Sequence, residues 1–283
     1  MSFSTVGVVG AGTMGHGIAH VCALSGQDVV LYDVDEPRVL AGLRKLASNL
    51  EKGVEKGKVS PGDRDAALSR VRTSTLLRDL AGCDLVVEAV PEKLAIKQAL
   101  FLELQGILAP SAVLATNTSS LSIAGIASVL ADPGRVIGAH FFNPVHIMTL
   151  LEVVVHTGTR DDVLAQTLAW GGLIGKECIT VRDAPGFATS RLGVCLGMEA
   201  IRMVEQGVAS PEDIDKALVL GYRHPVGPLR LTDMVGLDVR MAIGEYLATE
   251  LNNAAFKPPE LMRRMVAEGK LGQKAGEGFY RWG

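Results

Sequence analysis

VGVVGAGTMGHGIA, residues 6–19, carries the strongest structural signal in the chain. It opens on a β-branched apolar run, closes on a helix-forming segment, and sets Gly10, Gly12 and Gly15 between them in the spacing G-x-G-x-x-G. The spacing alone is weak; between a strand and a helix, at the start of a βαβ pattern, it is strong. Gly10 permits the tight turn, Gly12 leaves no side chain between the backbone and a pyrophosphate, and Gly15 lets the helix pack close to the strand. The free N–H groups and positive dipole end of that helix then suit phosphates. Ala11, Thr13 and Met14 complete the loop. Asp33 follows the next apolar run, DVVLY (28–32). A carboxylate there accepts hydrogen bonds from ribose hydroxyls and repels a 2′-phosphate, so NAD is favoured over NADP. The bland alternative has the glycines relieving crowding and Asp33 capping a turn; fingerprint, context and acid together weigh against it.

Outward from this loop, short apolar runs alternate with helix-length segments. Strands are expected at 5–9, 28–32, 70–74, 84–89, 112–116 and 135–141. Helices are expected at 13–25, 36–56, 61–69, 92–108 and 122–130. This rhythm implies a parallel sheet covered by helices on both faces. Two further strands, 150–155 and 178–181, flank a helix at 161–174. From Phe187 onward only helical periods appear, at 187–206, 211–220, 229–235, 239–251 and 259–268. Ser210-Pro211 followed by Glu212 and Asp213 is a strong helix start. The expected organisation is an α/β Rossmann-type nucleotide-binding domain over residues 1–183, then a smaller all-α domain over 184–283.

The chain has 283 residues, enough for two domains, and 48% of them are hydrophobic, which excludes general disorder. A net charge of −3 argues against a nucleic-acid partner. The four cysteines, Cys22, Cys83, Cys178 and Cys195, lack metal-ligand spacing, so no metal and no disulfide framework is expected. No secretory signal or membrane-length apolar run is visible, and the expectation is a cytoplasmic protein without a membrane partner. Glycine is in excess, with 32 residues, and without a collagen-like period it asks for tight turns or close backbone contacts.

Ligands on open α/β sheets lie beyond the carboxyl ends of the strands. The residues there are AVPE (89–92), TNTSS (116–120) and HFFNP (140–144), joined by Glu152 within LLEVVV. Oxidation of a secondary alcohol needs a base near the hydroxyl, and His140 suits that role near neutral pH. Glu152 stands among Leu150, Leu151, Val153, Val154 and Val155, where a lone carboxylate is costly; His140 is its candidate partner. Ser119 and Asn117 can bond a ligand, although one of Ser119, Ser120 and Ser122 is expected to cap the next helix. Asn143 can reach a nicotinamide ribose or shape the turn into Pro144.

The motifs GAGTMG (10–15), EAVPE (88–92), TNTSS (116–120), GAHFFNPV (138–145), DAPGF (183–187), GPLRLTDMVGLD (227–238) and KAGEGFY (274–280) resemble those of the L-3-hydroxyacyl-CoA dehydrogenases, above all the bacterial 3-hydroxybutyryl-CoA enzymes. The likeness runs from Val6 to Tyr280. It implies NAD-dependent interconversion of (S)-3-hydroxyacyl-CoA and 3-oxoacyl-CoA, with an acyl-CoA thioester as substrate. It implies that His140 is the base, Glu152 its partner, and Ser119 a hydrogen-bond donor to the reacting oxygen. Glu92, Lys97, Asn143 and Lys274 would lie at the cofactor, with Asn117 beside them. Lys56 would contact CoA, or stand on a solvated helix face with Lys52 and Lys58. Asn49 falls where some relatives carry a serine near CoA. Ser190, in PGFATSR, stands where the family usually has an asparagine that helps polarise the thioester or 3-oxo group. The helical domain would close the crevice and supply a homodimer interface. The competing readings are a dehydrogenase of a free 3-hydroxy acid or a sugar acid on the same fold, and a non-catalytic nucleotide-binding protein.

Overall fold

The computed structural model describes residues 3–283, which form two compact units, one ending at Asp183 and the other beginning at Ala184. In the first unit the chain runs β1 (Thr5–Val9), α1 (Gly15–Leu24), β2 (Asp28–Tyr32), α2 (Glu36–Glu55), α3 (Pro61–Ser69), β3 (Val71–Ser74), β4 (Leu85–Glu88), α4 (Leu94–Ile107), β5 (Val113–Thr116), α5 (Ile123–Ala127), β6 (Val136–Phe141), β7 (Leu150–Val155), α6 (Asp161–Leu173) and β8 (Glu177–Arg182). The eight strands form one sheet in the order β3-β2-β1-β4-β5-β6-β7-β8. The strand order reverses at β1, between β2 and β4, which places the ligand crevice of such a sheet at the ends of β1 and β4.

The central strands are apolar on both faces, as expected for strands covered by helices on each side. Val6, Val8, Leu31, Leu85, Val87, Val113, Ala115, Ile137 and Ala139 are all essentially inaccessible. The helices begin where local chemistry supplies missing partners for their first N–H groups. Asp35 accepts from Arg38 N at 2.9 Å ahead of α2, and Ser60 accepts from Asp63 N at 3.1 Å ahead of α3, with Pro61 at the first helical position.

The sheet is parallel over the six strands of the βα rhythm, as expected, and turns mixed only beyond them. The first six strands pair in parallel, but β7 runs antiparallel to β6, and β8 follows β7. The cause is the length of the link. Residues 142–149 are too few for the crossover helix that a parallel return requires, so the chain doubles back. Residue 140 of β6 then stands directly opposite residue 152 of β7.

The second unit contains α7 (Thr189–Glu205), α8 (Pro211–Tyr222), α9 (Pro228–Val235), α10 (Leu237–Glu250) and α11 (Glu260–Ala267). Its core gathers Met198, Ile201, Leu229, Leu237, Leu247 and Met262, each fully buried. Two buried carboxylates organise it. Asp215 accepts from Leu229 N and Arg230 N, at 2.8 and 2.9 Å, at the positive end of α9. Asp233 accepts from Phe279 N, Tyr280 N and the Trp282 indole, each at 2.9 Å, and so ties the C-terminal segment to α9. A Cβ on Gly278 would lie 2.3 Å from Asp233 Oδ1, which accounts for a glycine of the KAGEGFY segment. Among the described residues no helix is long and apolar enough to cross a membrane.

Candidate active site

The glycine loop leaves β1 at Gly10, whose φ of +98° belongs to glycine, and whose N–H donates to Tyr32 O at 2.8 Å. A Cβ there would meet the Ala89 carbonyl at 2.6 Å, so β4 also closes on this turn. A Cβ on Gly15 would fall 1.7 Å from Gly10 O, while at Gly12 nothing lies within 4 Å. The loop is thus crowded from behind and open in front, which is what close approach of a pyrophosphate needs. Helix α1 begins with no acid in its first turn, and Met14 precedes it without a side-chain cap. Asp33 accepts from Ala11 N and Val34 N, both at 2.8 Å, so it holds the loop in shape from the end of β2. Thr13 is exposed in front of the loop.

Next to the loop, β4 ends in a buried acid. Glu88 is fully buried and accepts from Lys97 Nζ at 2.7 Å, Val90 N at 2.7 Å and Thr116 Oγ1 at 2.6 Å. Lys97 on α4 is likewise buried, and its ammonium also lies 3.1 Å from Glu92 Oε2. Glu92 accepts in turn from Thr118 Oγ1 and from Ser119 N, the latter at 3.0 Å. Burial pushes the Glu92 carboxyl up, but Lys97 and the hydrogen bonds from Thr118 and Ser119 outweigh it and hold the group below its ordinary range. Asn117 accepts from Phe141 N at 2.9 Å, which braces β6 from the end of β5. Ser122, rather than Ser119 or Ser120, caps α5 by accepting from Gly125 N at 3.1 Å.

On the antiparallel pair, His140 Nδ1 lies 2.6 Å from Glu152 Oε2. Directly opposite residues of an antiparallel pair project from the same face, so register alone brings them together. Glu152 is wholly buried and His140 nearly so. A carboxylate only accepts, so the shared proton is donated by Nδ1. The Phe142 ring stands 4.5 Å from the imidazole, centroid to centroid.

A cavity of about 590 Å³ opens between the first turns of α1, the end of α2 and the turn after β6. Asn49, Lys52, Lys56 and Lys58 line one wall, and Thr13 and Asn143 line it nearer the glycine loop. Glu51, beside this lysine set in sequence, is taken up by Arg64 at 2.7 Å.

Two family models match the chain: "3-hydroxyacyl-CoA dehydrogenase, NAD binding domain" over residues 5–184, and "3-hydroxyacyl-CoA dehydrogenase, C-terminal domain" over 186–282. The chain belongs to the 3-hydroxyacyl-CoA dehydrogenase family. It is an NAD-dependent oxidoreductase of that family. A 3-hydroxybutyryl-CoA dehydrogenase of Mycobacterium tuberculosis is 43% identical over 279 residues, covering 98% of each chain. A probable 3-hydroxybutyryl-CoA dehydrogenase of Bacillus subtilis is 40% identical over 280 residues, covering 99% of this chain and 98% of that one. The crystal structure of an (S)-3-hydroxybutyryl-CoA dehydrogenase from Ralstonia eutropha superposes with a TM-score of 0.96 at 42% identity, covering 100% of both chains.

Within this 3-hydroxyacyl-CoA dehydrogenase fold, the first unit gathers most of the residues singled out from sequence. They fall into three groups: the glycine loop with Asp33, the Glu92–Lys97 set with Asn117 and Ser119, and the His140–Glu152 pair. Asn49, Lys56 and Asn143 share the cavity. Ser190 and Lys274 belong to the helical unit. Ser190 is half-buried in the first turn of α7, and Lys274 Nζ donates to Asp238 Oδ2 at 2.7 Å. The sequence reading missed Glu88, Thr116 and Thr118. A signal for Glu88 was present: it is a lone acid at the end of an apolar strand, DLVVEA, the same reasoning that singled out Glu152.

Proposed function

We propose that this chain interconverts (S)-3-hydroxybutyryl-CoA, or a thioester of similar length, and its 3-oxoacyl-CoA, with His140 as the proton-transfer group. The observation that carries the reading is the 2.6 Å contact between His140 Nδ1 and the buried Glu152. In oxidation, His140 Nε2 takes the proton of the 3-hydroxyl as the C–O bond becomes a carbonyl, and Glu152 stabilises the imidazolium that results. In reduction the same imidazolium returns the proton. Ser119 donates a hydrogen bond to the reacting oxygen. Ser190 does so at the thioester or 3-oxo group in place of the family's asparagine.

The residues present fit NAD: Gly12 is open where a backbone must approach phosphate, and Asp33 ends β2 beside the loop. When bound, NAD supplies the hydride acceptor. The loop from Gly10 to Gly15 would hold its pyrophosphate, Asp33 its adenosine ribose, and Glu92, Asn117, Asn143 and Lys274 its remaining polar groups. Lys97 acts through Glu92, because it is buried between two carboxylates. Lys52, Lys56 and Lys58, with Asn49, suit the phosphates of CoA, which a free 3-hydroxy acid or sugar acid lacks. A cytoplasmic homodimer belongs to the same proposal. Leu192, Leu220 and Tyr222 of the helical unit are each more than 70% exposed and suit pairing with a second copy.

The test is NADH oxidation with acetoacetyl-CoA, longer 3-oxoacyl-CoA thioesters, acetoacetate and a 3-oxo sugar acid, repeated with NADPH. Turnover confined to the thioesters and to NADH, fastest with acetoacetyl-CoA, is expected. A preference for the free acids overturns the substrate, and a preference for NADPH overturns the role of Asp33.

A further inference from the structure

The cavity beside the glycine loop holds more than lysines. His16 and His20 stand one turn apart on α1 and present their side chains on one face. His146, on the turn after β6, stacks on His20 with ring centroids 5.1 Å apart and an 18° interplanar angle. His16 Nδ1 lies 2.7 Å from Gly12 O. A carbonyl only accepts, so Nδ1 carries the hydrogen of this contact. His20 is 3% exposed, and its Nδ1 has no hydrogen-bond partner among the described residues. Lys52, Lys56 and Lys58 face the cluster from α2 and the turn that follows it. Beneath it, Lys176 donates to the Met148 carbonyl at 2.7 Å, with Cys22 of α1 close to the same ammonium. No carboxylate is among the cavity's lining residues. Among the described residues no group of three or more His, Cys, Asp or Glu side chains is placed to hold a metal ion.

Such a cavity attracts anions while its own cations discourage one another. Burial, then His16, Lys176, Lys52 and Lys56, hold the His146 imidazole below its ordinary range. Burial, then His146, His16 and Lys176, drive His20 down to about 4. A phosphate entering the cavity reverses the sign of the local field. An opposite charge within about 4–6 Å raises an imidazole by roughly one to three units, against the lowering that burial and the nearby cations impose on His146.

We propose that this cavity binds its ligand together with protons: the phosphate-bearing nucleotide end of the acyl-CoA enters against Lys52, Lys56 and Lys58, and His146 and His16 become imidazolium donors to its phosphate oxygens. The inference rests on the acyl-CoA reading above and deepens it. His20, deeper and without a partner at Nδ1, stays neutral and serves as the surface on which His146 stacks. Proton uptake on binding makes affinity fall as pH rises, by up to about tenfold per pH unit for each proton taken up.

Isothermal titration of CoA into the NAD-bound protein, in phosphate-free buffers of differing ionisation enthalpy between pH 6 and 8, tests this. The 3′-phosphate of CoA itself titrates near neutrality. The readout is therefore the difference in bound protons between the unaltered chain and the variants His146→Gln and His16→Gln. Both side chains are only half-buried, and circular dichroism verifies that the variants fold. The expected result is about half to one proton fewer taken up in His146→Gln, with a smaller loss in His16→Gln. The rise in Kd between pH 6 and 8 becomes at least threefold shallower. No protons are taken up with acyl-pantetheine, which lacks the nucleotide. Equal proton counts and equal pH slopes in all three proteins overturn the inference while leaving the acyl-CoA reading intact. Failure of acetoacetyl-CoA to turn over, with no binding of CoA, overturns that reading and the inference with it.

Discussion

Glu88 and Glu152 are the same residue type in nearly the same setting: each stands in an apolar strand of one sheet and each is wholly buried. Their partners differ. Glu88 meets a lysine, a threonine hydroxyl and a backbone N–H, and Lys97 is itself held by a second carboxylate. The set is a fixed scaffold that locks the end of β4 to α4 and β5. Glu152 meets an imidazole, the one side chain whose ordinary titration lies in the physiological range. A buried carboxylate facing a lysine braces the fold; in the proposed mechanism, one facing an imidazole stabilises the imidazolium formed when the ring takes a proton. The neighbouring strand decides which: β5 offers Glu88 a threonine, and the reversed strand pair offers Glu152 a histidine.

Substitutions can break this contrast. The largest effect is expected from His140→Ala, which removes the group proposed to give the proton in reduction and take it in oxidation. kcat for NADH oxidation by acetoacetyl-CoA should fall roughly 10³-fold, equivalent to about 4 kcal/mol, with the Kd for NADH within about twofold of the unaltered value. Glu88→Gln should come next and act on stability, because a buried lysine loses one of its two charge partners. Urea unfolding should show a loss of about 3 kcal/mol, and an unchanged midpoint would remove Glu88 from the scaffold. Glu152→Gln keeps a hydrogen bond to the ring but not the charge. kcat should fall about 10²-fold, or about 2.7 kcal/mol, with a smaller change in unfolding midpoint than Glu88→Gln. The smallest effect is expected at Glu92, the exposed end of the scaffold: Glu92→Gln should weaken NADH binding by about tenfold, read by fluorescence titration, and leave the unfolding midpoint nearly where it was.

Much of this was legible beforehand, for identifiable reasons. The glycine spacing, Asp33 and the apolar runs report local requirements, such as a turn with positive φ or strands buried on both faces, and local requirements leave local marks. The partnership of His140 and Glu152 was legible because the cost of burying an unpaired acid holds wherever its partner lies. The direction of β7 was not, since a parallel and an antiparallel buried strand carry the same apolar pattern. The short link at residues 142–149 was the overlooked sign. Thr116 and Thr118 were hidden because a hydroxyl tolerates both exposed and buried positions. In the histidine cluster, the spacing of His16 and His20 marks one helix face, but nothing local foretells that His146, far along the chain, stacks against it.

The most direct test is kcat at saturating NADH and acetoacetyl-CoA, measured side by side for Glu152→Gln and Glu88→Gln at a temperature where both are folded. A loss of about 10²-fold is expected in the first and of less than about threefold in the second. Equal losses, or the larger loss in Glu88→Gln, would contradict the division between a carboxylate that supports the fold and one that supports the chemistry.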